Sequence, residues 1–108
     1  MIGKRSLAYS GAVDDDESSL FFALADPTRR ILLDELAERD GQTLFELCTR
    51  LAMEHGSTSS RQAVSQHLAV LERAGLVLTE KRGRYKHHTF DPQPLAQIAR
   101  RWPLKETP

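Results

Sequence analysis

Ser60-Arg-Gln-Ala-Val-Ser-Gln-His-Leu-Ala-Val-Leu-Glu-Arg-Ala-Gly-Leu-Val77, followed closely by Lys81-Arg82-Gly83-Arg84-Tyr85-Lys86, is the stretch that decides the fold. At about 100° per helical residue, Leu68 and Leu71 fall within about 40° of Val64, which makes one buried stripe. Ser59-Ser60-Arg61-Gln62 fits the capping-box pattern, so the helix is expected to start at Ser60, and Gly75 ends it. Beyond Gly75 the period changes. Leu76 to Lys81 and Tyr85 to Phe90 are short runs rich in branched and aromatic residues around Arg82-Gly83-Arg84, which predicts a hairpin with a glycine loop.

Upstream, Thr43 and Glu46 form a second capping-box match that opens a helix carrying Leu44, Leu47, Cys48, Leu51 and Ala52 on one face, with Gly56 as its stop. Asp26-Pro27 starts the helix before it, because an N-cap aspartate and a proline at the first position suit a terminus that has no N–H partner. That helix is expected to run to about Arg39 with Ile31, Leu32 and Leu36 inward, and Asp40-Gly41 ends it. The acids Asp14 to Glu17 precede Leu20, Phe21 and Leu24 at the start of a first short helix, where the helix dipole favours them. Downstream, Asp91-Pro92 opens a last helix with Leu95, Ile98, Ala99 and Trp102 in a stripe, closed by Pro103. The expectation is a mainly α, α+β winged helix-turn-helix with five helices and a two-stranded wing. It occupies 16–103, between a disordered N-terminal tail at 1–15 and a short C-terminal tail at 104–108.

The chain of 108 residues is 40% hydrophobic and 28% charged, and no apolar run approaches the ~20 residues that cross a bilayer. No apolar segment follows Lys4 and Arg5, so no secretory signal is read, and the lone Cys48 agrees with a reducing, cytoplasmic setting. The net charge of zero conceals an uneven distribution. Residues 1–54 hold eleven acids against six bases, whereas 55–90 hold six bases against two acids and all four histidines. One side of the protein is therefore basic.

That basic side coincides with the deciding stretch. Opposite the buried stripe, Gln62, Ser65, Gln66 and Arg73 lie between about 100° and 200° from Val64, and Arg61 sits at the edge in the first turn. This face is polar and short, as a helix in the major groove requires: glutamine pairs with adenine, arginine with guanine, and small residues let the backbone approach. Free N–H groups near Ser60 and Arg61 can hold a phosphate. Lys81, Arg82, Gly83, Arg84 and Lys86 would bring the wing to the DNA backbone. Each feature alone also fits a solvated surface; their order along the chain favours double-stranded DNA as partner.

Ala25-Asp-Pro-Thr-Arg-Arg-Ile-Leu32, the Ser60 to Val77 run and the Gly83-Arg84 wing together resemble the ArsR/SmtB family of winged-helix repressors, over roughly Leu20 to Trp102. The resemblance implies a homodimer packed through the first and last helices that binds imperfect palindromes, with Arg61, Gln62, Ser65 and Gln66 at the base-reading places. Members that sense metals often carry Glu-Leu-Cys-x-Cys-Asp on the third helix. Here Glu46-Leu47-Cys48 match, but Arg50 and Leu51 replace the second cysteine and the aspartate, and the last helix lacks the aspartate and histidines of the other frequent site. No metal ligand set and no cofactor is assigned, and Cys48 is read as a small core residue. His87 and His88 face opposite sides of a strand, His88 where the family often has tyrosine, and His67 borders the buried stripe as a structural residue. The connection from His55 to Ala63 is longer than the common family pattern.

Leu20, Phe21, Phe22, Leu95, Ile98 and Trp102 are the expected dimer interface, because one small core cannot cover stripes on both terminal helices. No nucleophile and base pair, metal cluster or phosphate loop is present, so no catalytic residue is assigned. The rival reading is a winged-helix protein-interaction module without sequence-specific DNA binding.

Overall fold

The computed structural model describes residues 16–105. The expected N-terminal tail and residues 106–108 lie outside them. Five helices and one hairpin follow in order: α1 (Asp16–Leu24), α2 (Pro27–Glu38), α3 (Leu44–His55), α4 (Arg61–Arg73), β1 (Val77–Arg82), β2 (Tyr85–Phe90) and α5 (Ala96–Arg101), the last preceded by a 3₁₀ turn at Gln93–Leu95. This is the expected α+β winged helix-turn-helix. No helix among the described residues is long and apolar enough to cross a membrane.

Local chemistry sets most of the boundaries. Asp26 accepts from Arg29 N at 3.1 Å with Pro27 at the first position of α2. Thr43 and Glu46 close the capping box at the start of α3, with Glu46 N donating to Thr43 Oγ1 at 3.2 Å and Thr43 N to Glu46 Oε1 at 2.8 Å. The Thr43 N–H is the main reason that the Glu46 carboxyl sits below its ordinary pKa. Gly56 ends α3 with φ +62°, a left-handed conformation that suits glycine.

The core gathers Leu20 and Ala23 from α1, Leu32, Leu33 and Leu36 from α2, Leu47 and Leu51 from α3, and Val64, Leu68 and Leu71 from α4, closed by Leu76 and Val77. Three details differ from the sequence pattern. Ile31 is only partly buried because α2 turns Leu32, Leu33 and Leu36 inward, and Leu44 and Cys48 are partly buried and Ala52 exposed because α3 turns Leu47 and Leu51 most directly inward. The α4 N-cap is Ser60, which accepts from Ala63 N at 3.0 Å, so the Ser59–Gln62 box does not form and the helix begins at Arg61. The last helix is shorter than its stripe: Pro92 and Pro94 lack N–H donors, the chain opens as a 3₁₀ turn, and Trp102 lies past its end.

β1 and β2 pair antiparallel from Val77↔Phe90 to Arg82↔Tyr85, leaving Gly83-Arg84 as a two-residue loop with Gly83 at φ +62°. Two antiparallel strands alone are marginal. The hairpin is anchored at Gln42 in the α2–α3 connection: His88 N donates to Gln42 O and Gly41 N to His88 O, each at 2.8 Å.

Candidate nucleic-acid interface

The outward face of α4 is free. Arg61, Gln62, Ser65, Gln66 and Arg73 are exposed, as is the N-cap Ser60, while Val64, Leu68 and Leu71 are buried on the opposite side. Among the described residues, Gln62, Ser65, Gln66 and Arg73 make no side-chain hydrogen bond or ion pair, so their polar groups are available to another molecule. The angular placement drawn from the sequence holds for this face.

The hairpin presents Lys81, Arg82, Gly83, Arg84 and Lys86, all exposed. Its register places Lys81 directly opposite Lys86. Like charges in that relation destabilise a sheet, so the pair is unfavourable in the isolated chain and is relieved by an anion. Arg82 partly neutralises itself on Glu80, Nε to Oε1 at 3.4 Å, but both are well exposed. Arg84 and Lys86 have no acidic partner among the described residues.

Two polar ties fix α4 and the hairpin to the rest of the molecule, and sequence reasoning found neither. Arg29, 8% exposed, donates through Nε to Ala23 O and through Nη2 to Phe22 O, both at 2.9 Å, and through Nη1 to His67 Nδ1 on α4 at 3.2 Å. It thereby satisfies carbonyls at the C-terminal end of α1 and holds α1 against α4. His67 is structural, as expected. Gln42, fully buried, donates through Nε2 to Glu35 O and Arg39 O, while its own carbonyl receives the His88 ring. His88 is buried, consistent with a packed ring, and His87 Nδ1 meets Gly41 O at 2.8 Å.

Arg50, at the place where a second thiolate was absent from the sequence motif, reaches instead to Glu35, Glu38 and Glu54. Glu35 also receives His55 Nε2 at 2.9 Å. The Arg50 guanidinium, and secondarily His55, hold the Glu35 carboxyl below its ordinary pKa against the opposing effect of burial. Glu35, Glu54 and His55 lie close enough to suit an ion, yet both Glu35 oxygens are engaged by Arg50 and His55, so the cluster fastens α2 to α3. Burial pushes the Cys48 thiol up, away from a reactive thiolate.

Of the six expected interface residues the structure leaves three exposed. Phe22 is 61% and Trp102 59% exposed, and Phe21 packs on Trp102 with ring centroids 6.0 Å apart. Arg101 joins α5 to α1 through Glu17 at 3.0 Å. Leu95 and Ile98 are partly buried against the core, and Leu20 is fully enclosed within the chain itself, so it offers nothing to a second copy. On a nine-residue helix whose apolar residues run consecutively from Leu20 to Leu24, the sequence could not say which side faced inward.

A helix-turn-helix domain family model matches residues 24–80, from the end of α1 to the middle of β1. The uncharacterised HTH-type transcriptional regulator YuzN of Bacillus subtilis is 41% identical over 90 residues, 83% of this chain and 98% of that one. The arsenical resistance operon repressor of Escherichia coli is 36% identical over 73 residues, 68% of this chain and 57% of that protein. An ArsR-like transcriptional regulator from Rhodococcus superposes with a TM-score of 0.69 at 33% identity, covering 86% of this chain and 79% of the other.

Proposed function

Because the chain belongs to the ArsR family of helix-turn-helix transcriptional regulators, we propose that it is a cytoplasmic, homodimeric repressor that reads a palindromic operator with α4 and grips the flanking phosphates with its hairpin. Its role is transcriptional regulation, not catalysis. The observation that carries the operator reading is the unengaged face of α4, where Gln62, Ser65, Gln66 and Arg73 project beside a hairpin whose Lys81 and Lys86 face each other. Repression as the direction of control is supported by the Escherichia coli relative, an operon repressor. Dimerisation is supported by the exposed rings of Phe21, Phe22 and Trp102, which water covers at a cost in the single chain. A twofold axis there would present two copies of α4 about 34 Å apart, one turn of DNA.

Selection from a random duplex library followed by footprinting tests the reading. A protected site with twofold symmetry and half-sites one turn apart is expected. Failure to retain any duplex at low salt would leave the protein-interaction module as the better account. Phe22→Asp should yield monomer in sedimentation and lose operator affinity without touching DNA; a folded, dimeric, fully active variant removes the proposed interface.

A further inference from the structure

A cavity of about 390 Å³ lies between α3, α4 and the hairpin, within the size range of small-molecule sites. Its walls are of two kinds. Leu44, Phe45 and Leu68 are apolar and Arg61, Arg84 and Lys86 cationic, with Glu72 as the single acid in the lining. None of the three cations is paired with an acid among the described residues. A third kind of group joins them. His88, 7% exposed, lines the cavity, and its Nδ1 is 2.9 Å from the carbonyl oxygen of Gln42. A carbonyl only accepts, so Nδ1 carries the ring proton and Nε2 of the neutral imidazole is a bare acceptor. Nε2 has no partner, and it is not sealed off: among the described residues the only fully enclosed unpartnered side-chain N or O is Gln42 Oε1. An accessible acceptor on an otherwise buried ring at the wall of a cavity is met by water in the free chain and is available to a donor group of a ligand.

We propose that this cavity is an effector site for a small hydroxylated aromatic carboxylate. The carboxylate meets Arg61, Arg84 and Lys86, the ring lies against Leu44, Phe45 and Leu68, and the hydroxyl donates to His88 Nε2. A bare inorganic anion would satisfy the cations but leave the apolar wall wet and Nε2 unpaired. Arg61 and Ser65, which belong to the outward side of α4, also line the cavity. An occupied cavity therefore excludes DNA from part of the recognition surface; this consequence rests on the proposed function, whereas ligand binding itself does not.

Titration of the full chain at pH 8, where an ordinary imidazole is neutral, with 3-hydroxybenzoate, benzoate, methyl 3-hydroxybenzoate and inorganic phosphate tests the site by nuclear magnetic resonance. 3-Hydroxybenzoate should bind about tenfold tighter than benzoate or the ester, each of which lacks one polar contact. Its shifts should centre on Phe45, Arg61 and His88. Lys86→Ala, a change at an exposed position that relieves the repulsion with Lys81 and keeps the chain folded, should weaken both acids but not the ester. His88→Asn, whose side-chain amide stands in for Nδ1 and keeps a donor to Gln42 O, should abolish the advantage of the hydroxyl. Phosphate binding as tightly as 3-hydroxybenzoate, or no saturable binding at millimolar concentration, overturns the proposal. In a second arm, 3-hydroxybenzoate should release labelled duplex DNA where sodium chloride of equal ionic strength does not, and binding without release overturns the effector role. A protein that takes up the ligand but binds no duplex at all refutes the proposed function and leaves the ligand site standing.

Discussion

Replacing Arg29 by methionine keeps the approximate volume and removes the guanidinium. In the folded chain that group donates to Phe22 O and Ala23 O, both at 2.9 Å, lies 4.9 Å above the Phe22 ring, and reaches His67 on α4. Hydrogen bonds from a charged donor each contribute about 1.5–3 kcal/mol, and the two carbonyls would be left unpaired near the core. Against this, the variant no longer needs to desolvate a cation, so the net cost is about 2–4 kcal/mol. For a domain of this size that lowers the melting temperature by about 10–30 °C and leaves a folded protein. Arg30 provides the control: it donates to Leu24 O at 2.6 Å but in an exposed setting, so Arg30→Met should cost under about 1 kcal/mol. Urea unfolding of both variants at one fixed protomer concentration measures the difference. Equal losses, or a loss below about 1 kcal/mol for Arg29→Met, would show that the α1–α4 clamp has been misread.

Three further outcomes follow from the geometry. Arg82→Ala with Arg84→Ala should weaken binding to all duplexes alike and flatten the dependence of log affinity on log salt by about one unit for each phosphate no longer neutralised, so an unchanged slope removes the hairpin from the interface. Gln62→Ala or Gln66→Ala should cost about 1–3 kcal/mol on the operator and much less on random duplex, and equal losses on both would reduce these residues to positioning groups. Glu35, whose carboxyl titrates below its ordinary value chiefly through Arg50, stabilises the fold fully above about pH 4.5 and loses that contribution as pH falls through its depressed folded value. Glu35→Gln should lower stability at pH 7 by about 1–3 kcal/mol and flatten the acid limb of the stability curve; parallel curves for the two proteins contradict the assignment.

The elements that the sequence revealed are those decided within a few residues. Asp26-Pro27, Thr43 with Glu46, and Gly83 each settle a boundary through atoms at most three residues apart, so their chemistry is visible without the fold. Where two neighbours offer the same atom, the sequence is ambiguous: Ser59 and Ser60 both carry a capping hydroxyl, and in the fold it is Ser60 that accepts from Ala63 N. The same holds for α1, where Leu20 and Phe21 are equally apolar and only packing sends one inside and the other onto Trp102.

The polar ties were hidden for a different reason. Arg29 and His67 are 38 residues apart, and Gln42 and His88 are 46 apart, so nothing in the local pattern of either partner names the other. In each case one partner reads as surface: Arg29 as the exposed side of an amphipathic helix, Gln42 as a polar loop residue. Yet these ties determine how the readable pieces are used. The α4 face and the basic loop were each legible alone, but both must meet one stretch of duplex together, and that depends on their relative placement. Gln42 anchors the hairpin to the connection before α3, and Arg29 anchors α4 to the helix that carries Phe21 and Phe22. An interface assembled from locally coded parts is thus oriented by contacts that are not locally coded. Substitutions at Arg29, Gln42 or His88 should accordingly disturb DNA binding through geometry, with no change in the charge or chemistry of the surface that meets DNA.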